Sequence, residues 1–260
     1  MHAAEFGRVE KAYPGRDGRP APPAIADFTL AIREQEFFCL LGPSGCGKTT
    51  ALTLLAGFEA PTAGEILHRG TPVQGPGADR GVIFQGDDSL MPWLTARDNI
   101  LLGPRIRRMP RDLQQERAER LLALVGLKDH GHKYPRELSG GMKQRIQIAR
   151  VLANEPDMLL MDEPFAALDA QTRAQMQEEL VRIWSGARTT VLFITHDVQE
   201  ALVLADRVGL MRAGPASAIR DVLAVDLPRP RDRTDPSLVS LYRHIQGILA
   251  EEVAGREALP

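Results

Sequence analysis

An octapeptide dense in glycine, Gly42-Pro43-Ser44-Gly45-Cys46-Gly47-Lys48-Thr49, separates an apolar run, Phe37-Phe38-Cys39-Leu40-Leu41, from a helix-like stretch that begins at Thr50. A strand that passes through such a loop straight into a helix is the setting a phosphate-binding loop requires. Gly42, Gly45 and Gly47 let the backbone turn tightly and approach a polyphosphate, so that N–H groups and the N-terminus of the following helix point at the anion. Pro43, Ser44, Cys46 and Thr50 complete that cradle. Lys48 is placed to reach the β and γ phosphates, and the Thr49 hydroxyl to ligate Mg²⁺.

A second apolar run, Asp157-Met158-Leu159-Leu160-Met161, ends in Asp162-Glu163-Pro164. Its length and continuity suit a strand buried on both faces of a parallel sheet. At the carboxyl end of that strand Asp162 is read as holding Mg²⁺ and Glu163 as polarising the water that attacks the γ phosphate. Between the two motifs lies Leu138-Ser139-Gly140-Gly141-Met142-Lys143-Gln144-Arg145, which opens a helix with Ile146, Ala149 and Leu152 on one face. Ser139 offers a hydroxyl and a cap, Gly140 and Gly141 leave backbone N–H groups uncovered, and the helix dipole adds partial positive charge. This stretch therefore reads as a second anion site.

With Leu-Ser-Gly-Gly ahead of the Asp-Glu strand and a phosphate loop upstream, residues 5–215 resemble an ABC ATPase. The resemblance implies an α/β fold: a P-loop NTPase core with a mostly parallel sheet, an antiparallel N-terminal β portion, and a helical subdomain inserted at about residues 87–150. It also implies a homodimer in which each signature closes on the ATP held by the other subunit's phosphate loop. The family's fifth signature residue, Gln, is Met142 here. By the same resemblance Tyr13 stacks on adenine, Gln85 reaches Mg²⁺ and the water, His196 bonds the γ phosphate, and Asp169 helps shape the neighbour's site. His196 follows one more buried-strand run, Thr190-Val191-Leu192-Phe193-Ile194, and the other five histidines read as surface or packing residues.

Composition is compatible with this and adds several exclusions. A net charge of −2 argues against a general nucleic-acid binder. Two cysteines, one in a strand and one in the loop, make no disulfide framework. No run approaches the roughly 20 apolar residues that span a bilayer, and the opening ten residues lack an apolar signal segment, so the chain is expected to be soluble by itself. Pro110 to Val125 reads as a helix that buries Leu113, Leu121, Leu124 and Val125 and stops at Gly126. In the C-terminal portion, residues 216–260, Leu227-Pro228-Arg229-Pro230-Arg231-Asp232-Arg233 reads as a linker. Leu238, Leu241, Tyr242, Ile245 and Leu249 then recur at helical spacing.

The segment Gly75-Pro76-Gly77-Ala78-Asp79-Arg80, followed by Leu90, Pro92 and Trp93, is similar to the ATPases of nitrate, sulfonate and taurine importers, most of all the taurine branch. That resemblance implies an ATP hydrolase, bound peripherally at the cytoplasmic face of the inner membrane and attached to two transmembrane permease subunits. An extracytoplasmic substrate-binding protein would take part indirectly. Leu90, Pro92 and Trp93 would then receive the membrane subunit, or Trp93 would be buried within the helical subdomain. The alternatives are an importer of another small molecule, a soluble ABC ATPase not tied to transport, and, as a weaker third, a phosphate-loop kinase.

Overall fold

The computed structural model describes residues 1–15, 21–84, 90–166, 168–187 and 189–257, with side chains to residue 254. Gln85 and Ala167 lie outside the described residues. The chain divides into two compact units, one of Met1–Gly77 with Thr190–Pro260 and one of Ala78–Thr189.

The first unit begins with β1 (His2–Lys11), β2 (Ile25–Arg33), β3 (Phe37–Leu41), α1 (Lys48–Ala56), β4 (Ala63–His68) and β5 (Thr71–Pro72). The second holds β6 (Arg80–Ile83), α2 (Ala96–Ile100), α3 (Leu102–Ile106), α4 (Arg111–Leu124), α5 (Gly140–Leu152), β7 (Met158–Asp162) and α6 (Ala170–Ala187). The chain then returns to the first unit through β8 (Thr190–Thr195), α7 (Val198–Leu204), β9 (Arg207–Met211), β10 (Ile219–Ala224) and α8 (Pro236–Glu257).

β1 pairs antiparallel with both β2 and β4, and β4 with β5. Phe6 and Phe28 meet edge to face across this sheet at 5.1 Å. β3 lies parallel to β8 on one side and to β9 on the other, and β10 closes that edge antiparallel to β9. Every residue of β3 and β8 is buried, the continuous apolar pattern of strands covered on both faces. In the second unit β6 and β7 are parallel, with Ile83 opposite Met161. The architecture is α/β, with an antiparallel N-terminal sheet and parallel strands carrying the motifs.

The helix expected after Pro110 is α4, with Pro110 at its N-cap position and Gly126 in the left-handed region at φ 68° just beyond it. Leu121 and Val125 are buried as expected, but Leu113 is 51% exposed because it stands on the solvent side of the first turn.

The C-terminal portion holds more structure than its composition indicates. β10 precedes the stretch read as a linker, and the arginines of that stretch are tied to the core. Arg231 donates to the carbonyls of Leu202, Ala205, Val225 and Leu227, and Arg229 to Asp206 Oδ1 and to the Leu204 carbonyl. These guanidinium groups satisfy the open carbonyls at the C-terminal end of α7, a role suited to a cation at the negative end of a helix dipole. Burial pulls Arg231 down to about 10, so it stays charged at neutral pH. Beyond the strap, α8 buries Leu238 and Ile245 while Tyr242 faces outward. Arg220 pairs with Glu251 and Glu252, and Glu252 also accepts the Ala213 N–H at 2.9 Å. Arg231→Met keeps the stem's volume but strips the Leu202, Ala205 and Leu227 carbonyls of this donor, that of Val225 keeping the Leu227 N–H, and is expected to lower stability by about 3 kcal/mol. In thermal unfolding that is a loss of roughly 6–12 °C; an unchanged melting temperature would show that the strap holds nothing.

Candidate functional site

In the first unit the phosphate loop and His196 issue from adjacent parallel strands. Leu41 is paired with Thr195, so the chain leaves β3 into Gly42 and β8 into His196 at the same sheet end. Carboxyl ends of parallel strands are where open α/β sheets bind ligands. The loop is lodged against its own unit. Gly47 sits at φ 93°, and a Cβ there would come within 2.5 Å of Ile25 Cγ2, so only glycine passes. Cys46 is fully buried with its sulfur 3.9 Å from that of Met211, and burial pushes its thiol up, which makes it a packing group and not a nucleophile. Gly45, at φ 76°, differs from Gly47. Nothing else comes within 4 Å of where its Cβ would stand, so it presents bare backbone on the loop's outer side.

Lys48 is only 6% exposed, and its Nζ donates to the carbonyls of Gly42 at 2.8 Å and Pro43 at 3.0 Å. The ammonium is thus held inside the loop by the loop's own backbone, next to the N-terminus of α1, which starts without a side-chain cap. Thr49 is exposed on the first turn of α1. Ser44 and Gly45 are exposed with it, whereas Pro43 and Thr50 are half-buried.

Tyr13 is joined to this region. Its hydroxyl lies 3.1 Å from Glu59 Oε1, the Lys11 ammonium stands 5.1 Å from its ring centroid, and Lys11 pairs with Glu59 at 2.9 Å. Burial pushes the phenol up, and a hydrogen bond with Thr50 works against that. The half-exposed ring therefore stands beside the helix that follows the phosphate loop.

His196 is exposed on a corner whose flanks are pinned. The Thr195 hydroxyl donates to the buried Glu200 carboxylate at 2.5 Å and accepts the Asp197 N–H at 3.0 Å. Asp197 in turn caps α7 through the N–H groups of Gln199 and Glu200. An imidazole on so fixed a backbone is suited to a task in which position matters.

In the second unit Asp162 ends β7 and Glu163 follows it, both half-buried. Glu163 has φ 44°, a left-handed backbone adopted by a non-glycine residue immediately before proline. Such strain, on the order of 1–3 kcal/mol, is kept where the surrounding structure holds it. Two bonds help hold the turn: the Ala166 N–H donates to the Glu163 carbonyl at 3.2 Å, and Gln144 of α5 donates from Nε2 to the Pro164 carbonyl at 2.5 Å.

Ser139 caps α5, its Oγ accepting the Met142 N–H at 3.3 Å. The N–H groups of Gly140 and Gly141 precede the first intrahelical bond, from Lys143 N–H to the Ser139 carbonyl. Asp169 caps α6 by accepting from the N–H groups of Gln171 and Thr172 and from the Thr172 hydroxyl. The bonds from Thr172 hold its carboxyl below the usual range. The two capped ends line one open cleft of about 560 Å³, with Ser139, Gly141, Asp169 and Thr172 on its walls. Met142, where the family's Gln would stand, is half-buried and contributes its N–H to the cap.

Trp93 is 70% exposed, which removes the reading that buries it within the helical subdomain, and Leu90 is buried. Asn99, fully buried, holds the intervening loop by accepting from the Met91 N–H and donating to the carbonyls of Met91, Leu94 and Thr95. Neither Asn99 nor Gln144 was among the residues singled out in the sequence. Gln144 carried a usable signal, since a glutamine four residues before Ile148 lies on the apolar face of an amphipathic helix.

Among the described residues the site residues fall into two groups: the loop, Tyr13 and His196 in the first unit, and Asp162, Glu163 and Ser139 to Gly141 in the second. No described helix is long and apolar enough to cross a membrane.

The family model for ABC transporters matches residues 25–166. The nitrate import ATP-binding protein of Synechococcus elongatus is 49% identical over 230 residues, which is 88% of this chain and 83% of that one. The taurine import ATP-binding protein of Chromobacterium violaceum is 49% identical over 220 residues, 85% of this chain and 82% of that one. Among solved structures, the ATP-binding cassette MJ0796, in a dimeric post-hydrolysis state bound to ADP and Pi, matches 86% of this chain and all of its own with a TM-score of 0.70 and 28% identity. A phosphate loop, a capped Ser-Gly-Gly helix and a strained acid at a strand end, matched to that extent, mean that this chain belongs to the ABC transporter family, among its ATP-binding and ATP-hydrolysing subunits.

Proposed function

We propose that this chain hydrolyses ATP to energise an importer for taurine, a related sulfonate or nitrate. What carries the reading is the equal 49% identity to a nitrate and a taurine import subunit over most of each chain. The Gly75 to Arg80 run with the Pro92-Trp93 pair leans it toward taurine. Residues 5–215 form the ATPase domain, with a helical insertion at about 87–150. Residues 216–260 strap and extend it.

Two copies would pack so that Ser139, Gly140 and Gly141 of one subunit face the ATP held by Gly42 to Thr50 of the other, with Asp169 beside it. Tyr13 would lie against adenine. Glu163 would accept a proton from the attacking water, and His196 would bond the γ phosphate and keep that water in line. Thr49, Asp162 and Gln85 offer only oxygen donors, the chemistry Mg²⁺ prefers. A Mg²⁺ held there would neutralise charge between the β and γ phosphates. The closed pair would be favoured because only there are both phosphate contacts made, and that difference would drive the attached permease subunits. The exposed Trp93 is a fitting anchor for a permease on the membrane's cytoplasmic side, with a substrate-binding protein acting from the other side.

The test is uptake of labelled taurine, with nitrate and an alkanesulfonate as competitors, in cells lacking this gene and in cells carrying it back. Uptake restored by the wild type and not by Glu163→Gln is the expected result. Taurine uptake unaffected by deletion, with the protein on membranes, would discard the substrate and keep the transporter.

A further inference from the structure

In the second unit one side chain joins the helix that opens with Ser139 to the turn that carries Glu163. Gln144 is 5% exposed, and its amide donates to the Pro164 carbonyl, the first carbonyl after Glu163. Proline has no N–H, so that turn cannot be secured from its donor side at residue 164. Glu163 meanwhile occupies its left-handed conformation only as long as something imposes it. Gln144 also lies three and four residues beyond Gly141 and Gly140, on the same face of α5. The first turn of α5 is further braced against α6, with the Met176 sulfur 3.5 Å from the Cβ position of Gly141. A displacement of α5 at its signature end is therefore delivered through a rigid helix and one short hydrogen bond to the Pro164 carbonyl, one residue beyond Glu163.

We infer that Gln144 is a positioning residue that couples the two nucleotide sites of the dimer. This rests on the dimeric reading above, in which a subunit's signature meets its partner's ATP while its Glu163 serves its own. Engagement of Ser139 by the partner's nucleotide fixes α5. Gln144 then holds the Pro164 carbonyl, and the Glu163 carboxylate is held over its own attacking water. Hydrolysis at one site in this way depends on occupancy of the other.

The measurement is the steady-state ATPase rate of the purified full chain against ATP concentration, for the wild type, Gln144→Met and Gln144→Glu, with each protein's melting temperature taken alongside. Methionine preserves the volume and glutamate the shape, and an ionised glutamate lacks the donor. Both variants are expected to lose about tenfold in kcat, the worth of one net hydrogen bond, with KM little changed and the Hill coefficient falling from above 1 to 1. A packing defect alone would lower the melting temperature and the active fraction and leave the Hill coefficient where it was. The inference is overturned by variants that keep both kcat and the Hill coefficient, by a kcat loss with the Hill coefficient intact, or by a wild-type coefficient of 1. A wild type that does not hydrolyse ATP at all would instead bring down the ATPase reading beneath it.

Discussion

Replacing Glu163 by glutamine is expected to abolish steady-state ATP hydrolysis, by roughly 10²–10⁴-fold, the range a positioned general base contributes. ATP binding should survive. Glutamine matches the carboxylate in size, keeps two polar atoms at the end of the side chain, and leaves the left-handed backbone at φ 44° to be held by Gln144 and Pro164 as before. What it removes is the capacity to take a proton from water. Because the phosphate loop is untouched, the nucleotide should accumulate unhydrolysed and the protein should elute as a dimer with ATP, where the wild type should return to monomers after turnover. The pair of readouts, turnover by phosphate release and association by size-exclusion with light scattering, separates this from misfolding, which would lose both. Turnover at the wild-type rate would remove Glu163 from its role. Loss of ATP binding along with turnover would mean that the residue shapes the nucleotide site and does not act on the water.

The positions assigned to chemistry were legible as strand ends because each follows a contiguous apolar run. Five buried residues before Gly42, four before Asp162 and six before His196 announce strands covered on both faces, and such strands place whatever follows them at one sheet end. Ser139 was legible for a different reason, since a small polar residue before a helical pattern is a cap, whereas Asp169 came only from the resemblance and the fold adds that it caps α6. What escaped the sequence depends on partners far away along the chain. Arg229 and Arg231 lie in a Pro- and Arg-rich stretch that composition assigns to a linker. Only the fold shows their guanidinium groups reaching carbonyls some 25 to 29 residues upstream. β10 has no alternation of buried and exposed positions to mark it, because its residues are mostly half-covered. The glycines of the phosphate loop were assigned to phosphate access, and the fold divides the work. Gly47 is glycine because Ile25 leaves no room, whereas Gly45 keeps its outer side open. Gln85 lies outside the described residues, so its role rests on the resemblance.

Lys48→Met is expected to weaken ATP binding about 100-fold, as loss of a charge-assisted contact to phosphate worth about 3 kcal/mol requires. Methionine is the better choice beside Lys48→Ala because the Lys48 stem is buried, and truncation to alanine would add a cavity to the loss of charge. The ammonium donates to the carbonyls of Gly42 and Pro43, so the variant also leaves the Gly42 carbonyl facing an apolar side chain, while that of Pro43 keeps the Cys46 N–H at 3.4 Å. That cost falls on the nucleotide-free protein and slightly lowers its melting temperature. The informative quantity is therefore the shift produced by ATP, not the melting temperature itself. At an ATP concentration of about 100 times the wild-type Kd, binding stabilises the wild type by about 2.7 kcal/mol. The same concentration only equals the variant's Kd and stabilises it by about 0.4 kcal/mol. A thermal-shift titration should thus show a clear ATP-dependent rise for the wild type and almost none for Lys48→Met. Hydrolysis should fall with the binding, so that raising ATP recovers part of the turnover, in contrast to Glu163→Gln, where no concentration does. An ATP-induced shift in Lys48→Met equal to that of the wild type would mean that Gly42 to Thr50 hold something other than the nucleotide's phosphates.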